Sequence, residues 1–343
     1  MTAAVVGAVF FYALPRLAGY GAVWREVTLL PAWWIVGLLG VTALDVLTYA
    51  PPWLVALPKL RLLDALRMTQ ASTAFSLVMP GGAALGMGVS FAMLRSAGFA
   101  RGTVAAAVVV TGFWSQVSTF LFPVVAIALL AAEGVGSATL RLVAVVGVGV
   151  SLVLVAAGAG VLWREEVAAR TGDVAARVVS RLLRQLGRAP VEWGGGSLVR
   201  YRGEVLTLLS RRWISLTVAT LANQLTGYLM LELSVRAFGI GRGQVSVIET
   251  FAAWSIGLLL GSLPITPSGI GVVELGVTGS LIGFGAPHAP VVAAVLVYRA
   301  LSLVPTIVLG LLATVTWRRR EPDMAKGATD GGAARGRGDA TVP

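Results

Sequence analysis

The chain has 343 residues, of which 57% are hydrophobic and only 13% charged, with a mean hydropathy of +0.84; this excludes an ordinary water-soluble domain and indicates a multi-span membrane protein. The net charge of +11 sits in loops between apolar runs, the pattern of the positive-inside rule, so no nucleic-acid partner is expected. With no Cys and one His (His288), disulfides, thiolate chemistry and Cys- or His-based metal sites fall away, and no metal, cofactor or catalytic residue is expected.

A span needs about 20 apolar residues. In chain order, full crossings are predicted near 2–18, 32–50, 102–131, 138–162, 212–236 and 289–316. The first has no basic n-region or small-residue cleavage site, so it reads as a span rather than a signal peptide. Two more apolar stretches, 64–97 and 249–284, are broken in the middle by Pro80-Gly81-Gly82 and Pro267-Ser268-Gly269. Arms of about 16 residues reach about 24 Å, short of a core about 30 Å thick. Each stretch is therefore predicted to be a re-entrant helical hairpin, its broken apex buried in protein or facing a wet cavity.

Between 164 and 211 lies a polar insertion. Val167, Val174, Val178, Leu182 and Leu186 share one helical face, and Arg170, Arg177, Arg181, Arg184 and Arg188 the other. It reads as an amphipathic helix, either on the anionic cytoplasmic leaflet or packed on the ends of the bundle. The tail, 318–343, has no periodicity and is expected to be disordered.

The segment from residue 80 recurs 187 positions later: Pro80 matches Pro267, Gly82 matches Gly269, Gly98 matches Gly285, and Ala106-Ala107-Val108 matches Ala293-Ala294-Val295. Most Lys and Arg fall in 51–67, 95–101, 163–212 and the tail, which places both termini in the cytoplasm. An odd number of crossings separates the copies, so the second is upside down. The predicted fold is an all-α integral membrane protein with about six full spans and two re-entrant hairpins in an inverted-topology repeat. Residues 1–317 form the membrane domain, as units 1–131 and 138–317.

A helix starting at a broken apex leaves backbone amides that suit an anion, so Gly81, Gly82, Ser268 and Gly269 are candidate substrate-binding positions. Glu274 lies on the second arm of the second hairpin, and Tyr298 and Arg299 lie within the last span. Ionisable groups at that depth face a cavity or each other. Two readings stand open: Arg299 binds a lipid phosphate that Glu274 orients, or the two form a structural pair. Their counterparts in the first copy are Met87 and Gly112, so the charged site is not duplicated. Asp45 and Glu232 are equivalent under the repeat; Glu232 has Arg236 four residues on as a surface partner, whereas Asp45 has none nearby and is the better functional candidate. Asn223, Gln224 and Gln116 are expected to bond between helices.

Pro267-Ser-Gly-Ile-Gly-Val-Val-Glu274, followed by Val297-Tyr298-Arg299, resembles the transmembrane domain of lysylphosphatidylglycerol synthases and the wider flippase-like family that shares it. The resemblance covers roughly residues 1–317 and implies movement of lipids between leaflets. The bifunctional members carry a soluble aminoacyltransferase domain; the chain ends about 26 residues past the last span, so lysyl transfer is not expected. The first hairpin departs from many relatives in having Gly82-Ala83-Ala84-Leu85 where they have polar and basic residues. The leading expectation is a non-enzymatic transporter of a phospholipid, aminoacylated lipid or polyprenyl-phosphate carrier in the cell membrane, with anionic or phosphate-bearing lipids as partners. The alternatives are an ion-coupled transporter of a small polar solute, with Asp45 and Glu274 as coupling acids, and a scaffold for a separate envelope-synthesis enzyme.

Overall fold

A computed structural model describes residues 25, 28–78, 82–134, 164–185, 194–263, 266 and 269–335, with isolated positions between 149 and 160. Among the described residues every regular element is a helix. In order they are α1 (Ala32–Thr48), α2 (Pro51–Ala56), α3 (Leu62–Val78), α4 (Gly82–Ser96) and α5 (Arg101–Ala132). Then come α6 (Glu165–Gln185), α7 (Gly195–Ala237), α8 (Val247–Ser262), α9 (Val272–Gly283) and α10 (His288–Arg335).

Four helical stretches are long and apolar enough to cross a membrane: Ala32–Ala56, Arg101–Ala132, Leu209–Ala237 and His288–Trp317. These are four of the six predicted crossings; 2–18 and 138–162 lie outside the described residues, isolated positions apart. Large apolar side chains stay exposed along them, such as Val36 on α1, Val218 on α7 and Leu311 on α10. Outward apolar faces of this kind suit lipid.

Both broken stretches are helix pairs. α3 and α4 have 17 and 15 residues, α8 and α9 have 16 and 12. α8 starts on a Ser246–Glu249 capping box: the Glu249 amide donates to Ser246 Oγ at 3.1 Å, and the Ser246 amide to Glu249 Oε2 at 2.7 Å. α4 and α9 end alike, through glycines with positive φ at equivalent positions, Gly98 (89°) and Gly285 (103°). The Phe99 amide reaches back to Leu94 O at 3.2 Å, and the Ala286 amide to Leu281 O at 3.1 Å. This is the glycine-closed helix end written twice, 187 residues apart.

Packing is reciprocal: α3 lies on α10, and α8 lies on α5, so the first arm of each pair rests on the long helix that closes the other half. Small residues permit these approaches. A Cβ on Gly310 of α10 would overlap Ala74 and the backbone of Gln70 on α3, and one on Gly82 would overlap the backbone of Ser76. The larger core joins α7, α8, α9 and α10 around Leu231, Trp254, Val277, Leu281 and Val291–Val295; a second joins α3, α4 and α5 around Met68, Leu94, Val104 and Ala107.

α10 continues past Trp317 as far as Arg335; extending an established helix costs far less than nucleating one. One expectation needs correction. The second arm of the second pair starts at Val272, not at 268–269, and the first arm ends at Ser262. α6 is helical as predicted and packs against α7, with Asp173 Oδ1 accepting the Gly195 amide at 2.7 Å, while Arg170, Arg177, Arg181 and Arg184 are exposed.

Candidate functional site

The late start of α9 determines what its N-terminus holds. Gly271 has φ 88°, a left-handed conformation that favours glycine. Glu274, one turn into the helix, curls back so that its Oε2 accepts the Gly271 amide at 2.6 Å. The anion at this helix end is therefore the chain's own carboxylate, placed where the helix dipole favours negative charge. Its other oxygen, Oε1, accepts from Arg299 Nε on α10 at 2.9 Å. Glu274 is 2% exposed and the Arg299 side chain 12%. Two charges so deeply buried are tolerable because each satisfies the other and the backbone.

Further polar groups stand nearby, on the last span, at the end of α1 and on α7. Tyr298, beside Arg299, lies next to Trp254 of α8 and within electrostatic reach of Glu274 and of Asp45 on α1. Tyr49 lies within reach of both Asp45 and Tyr298. Asp45 Oδ1 is 2.7 Å from the Thr226 hydroxyl of α7. Thr226 Oγ1 is 3.1 Å from Thr48 Oγ1, and Asn223 Nδ2 donates to Thr48 at 3.3 Å. Tyr298 thus lies near both the Glu274–Arg299 pair and the Asp45–Thr226 bond, inside an apolar bundle.

The remaining candidates fall elsewhere. Gly269, φ 64°, sits in the break, where a Cβ would lie 3.0 Å from Gly261 Cα, so it is needed for close packing of the two arms. Gly82 opens α4 against Ser76. Ser268 and Gly81 lie outside the described residues. Glu232 pairs with Arg236 as expected, Nε to Oε1 at 2.9 Å and Nη2 to Oε2 at 3.2 Å, but it is buried at 8% exposure rather than on the surface. Arg236 Nη1 also donates to the carbonyls of Ile240 and Val245 at 2.8 and 2.9 Å, tying the end of α7 to the start of α8. That pair is a structural clamp. Gln224 Nε2 reaches Ser115 O on α5 at 3.4 Å, the interhelical contact expected of it; Gln116 and His288 are exposed. A separate pocket of about 170 Å³, lined by Asp64, Arg67, Ser96, Thr316 and Trp317 among others, opens between α3, α4 and the end of the last span.

Sequence reasoning missed Trp254, Tyr49 and Thr226. An aromatic or a threonine in an apolar helix carries no signal of its own; Thr226 could have been found only by its place one turn after Asn223.

The chain can now be set beside known proteins. Residues 1–310 match the family described as the lysylphosphatidylglycerol synthase transmembrane region. None of the curated proteins compared with the chain matches it.

Proposed function

Because the chain belongs to the family of the lysylphosphatidylglycerol synthase transmembrane region, we propose that it moves a phosphate-bearing lipid between the leaflets of the cell membrane. The observation that carries this reading is the Glu274–Arg299 pair, buried between the second broken helix pair and the last span. A guanidinium presents five N–H donors in a planar fork that matches phosphate oxygens two at a time. A lipid phosphate entering the bundle exchanges places with the Glu274 carboxylate on Arg299, and the carboxylate keeps its Gly271 amide throughout. Tyr298 and Trp254 form the wall beside that exchange.

In this reading the two halves, 1–131 and 138–317, are an inverted repeat with both termini in the cytoplasm. The two helix pairs are re-entrant hairpins, one entering from each face. The equal 187-residue spacing of their glycine-closed ends and the reciprocal packing of α3 on α10 and α8 on α5 support it. The protein acts as a transporter rather than an enzyme. The lipid's tails stay in the bilayer and its headgroup alone passes the Glu274–Arg299 pair.

Native mass spectrometry of the purified chain tests the site. The wild type is expected to retain phosphate-bearing lipids, and Arg299→Ala to lose them. Arg299→Lys keeps the charge without the fork and is expected to retain fewer than the wild type. Equal lipid retention by all three proteins contradicts the assignment.

A further inference from the structure

Asp45 is a second buried acid, 7% exposed, that the Glu274–Arg299 exchange does not use. Among the described residues no Lys or Arg lies within ion-pair distance of it; the pairs found there are Asp64–Arg67, Glu232–Arg236 and Glu274–Arg299. A buried carboxylate with no counter-ion is costly, and the usual escape is to neutralise it.

The hydrogen bonds around Asp45 fit a protonated carboxyl. The Thr226 hydroxyl has one hydrogen to donate. Two oxygens compete for it: the Asn223 carbonyl at 2.6 Å and Asp45 Oδ1 at 2.7 Å. Thr48 cannot supply the difference. It donates to the Asp45 carbonyl at 2.8 Å and accepts from Asn223 Nδ2 at 3.3 Å. Thr226 therefore serves one of them at a time: it donates to Asp45 when the carboxyl is ionised. A hydrogen on the Asp45 carboxyl serves both contacts at once: Asp45 donates to Thr226, Thr226 to the Asn223 carbonyl, Thr48 to the Asp45 carbonyl, and the Asn223 amide to Thr48. The oxygen separations of 2.6–3.1 Å are those of O–H···O bonds.

The groups facing Asp45 do not offer another solution. Tyr49 stands on its own helical stretch. From α7 come Asn223 and Thr226, and beyond them the mutually paired Glu232 and Arg236. From α10 come Tyr298 and Arg299, the latter bonded to Glu274. The acid and base of α3, Asp64 and Arg67, pair with each other and line the separate pocket.

We propose that Asp45 is a proton-binding site, holding a proton while α1 and α7 are closed on each other and releasing it to water when they part. Asp45–COOH then becomes Asp45–COO⁻ plus a proton, and the movement of lipid past Arg299 is coupled to that of the proton. The proton site stands on the local geometry; only the coupling rests on the transport reading above.

Infrared difference spectroscopy of the full chain in phosphatidylglycerol/phosphatidylethanolamine nanodiscs tests the site without transport. The wild type is expected to show a protonated-carboxyl C=O band at neutral pH that vanishes in Asp45→Asn and shifts in Thr226→Val, which removes the hydrogen-bond acceptor. Spectra identical in that region for wild type and both variants overturn the proposal. In proteoliposomes, a pH gradient is expected to speed translocation of fluorescent phosphatidylglycerol several-fold for the wild type and not for Asp45→Asn. Translocation that ignores the pH gradient, or follows a sodium gradient instead, overturns the coupling. A present band with no translocation of the probe by any variant, wild type included, counts against the transport reading and leaves the proton site standing.

Discussion

The two broken helix pairs share a plan and differ in chemistry. Both end in the same glycine-closed turn, and both press their arms together through glycine, Gly82 on Ser76 in one and Gly269 on Gly261 in the other. The second adds a left-handed Gly271, a carboxylate folded back onto its amide and an arginine from the last span. At the equivalent places the first has Met87, exposed, and Gly112, with open space around it. The shared plan is held by packing, and the two pairs differ where charge enters. The difference is a buried ion pair, and that is where the comparison can be broken.

The largest effect is expected at Arg299→Ala, which leaves Glu274 buried without its cation and costs about 3–5 kcal/mol. Thermal unfolding in detergent checks it. The double variant Arg299→Ala, Glu274→Ala is expected to be more stable than Arg299→Ala alone, and a purely additive result would contradict the pairing. Next comes Arg236→Ala, which removes hydrogen bonds to a carboxylate and to two carbonyls and is expected to cost about 1.5–3 kcal/mol in all. It is expected to lower stability while leaving headgroup retention per folded molecule unchanged, which separates the structural pair from the functional one. Gly82→Val is expected to cost at least about 1–3 kcal/mol by forcing a side chain into the Ser76 backbone, without touching the Glu274–Arg299 pair. Smallest is Met87→Ala, the first-half counterpart of Glu274, expected within about 0.5 kcal/mol of wild type because the side chain is exposed.

Much of the fold was legible from composition and period. Apolar runs long enough to span, Pro-Gly breaks and the 187-residue offset placed four spans and both helix pairs within a few residues of where they lie. Glu274 and Arg299 were legible because ionisable groups are rare in such runs. Their mutual bond was one of two open readings, and sequence could not choose, since it depends on the rotation of α10 against α9. The start of α9 was misplaced because Gly269 and Gly271 both suit a helix entry; Glu274, three residues after Gly271 and folded back onto its amide, marks the true one. Asp45 was singled out for lacking a partner along its own helix; its real neighbours, Thr226 and Asn223, come from α7, about 180 residues away. The burial of Glu232 was missed because an i, i+4 pair looks the same on a surface as under one.

The central claim, that Arg299 and Glu274 handle a lipid phosphate, is tested most directly by translocation in proteoliposomes. Fluorescent phosphatidylglycerol in the inner leaflet becomes accessible to an external quencher only when it is moved across. Wild type is expected to accelerate that step at least tenfold over protein-free vesicles, with Arg299→Lys well below wild type and Glu274→Gln folded but slow. Wild-type rates retained by both variants would contradict the account.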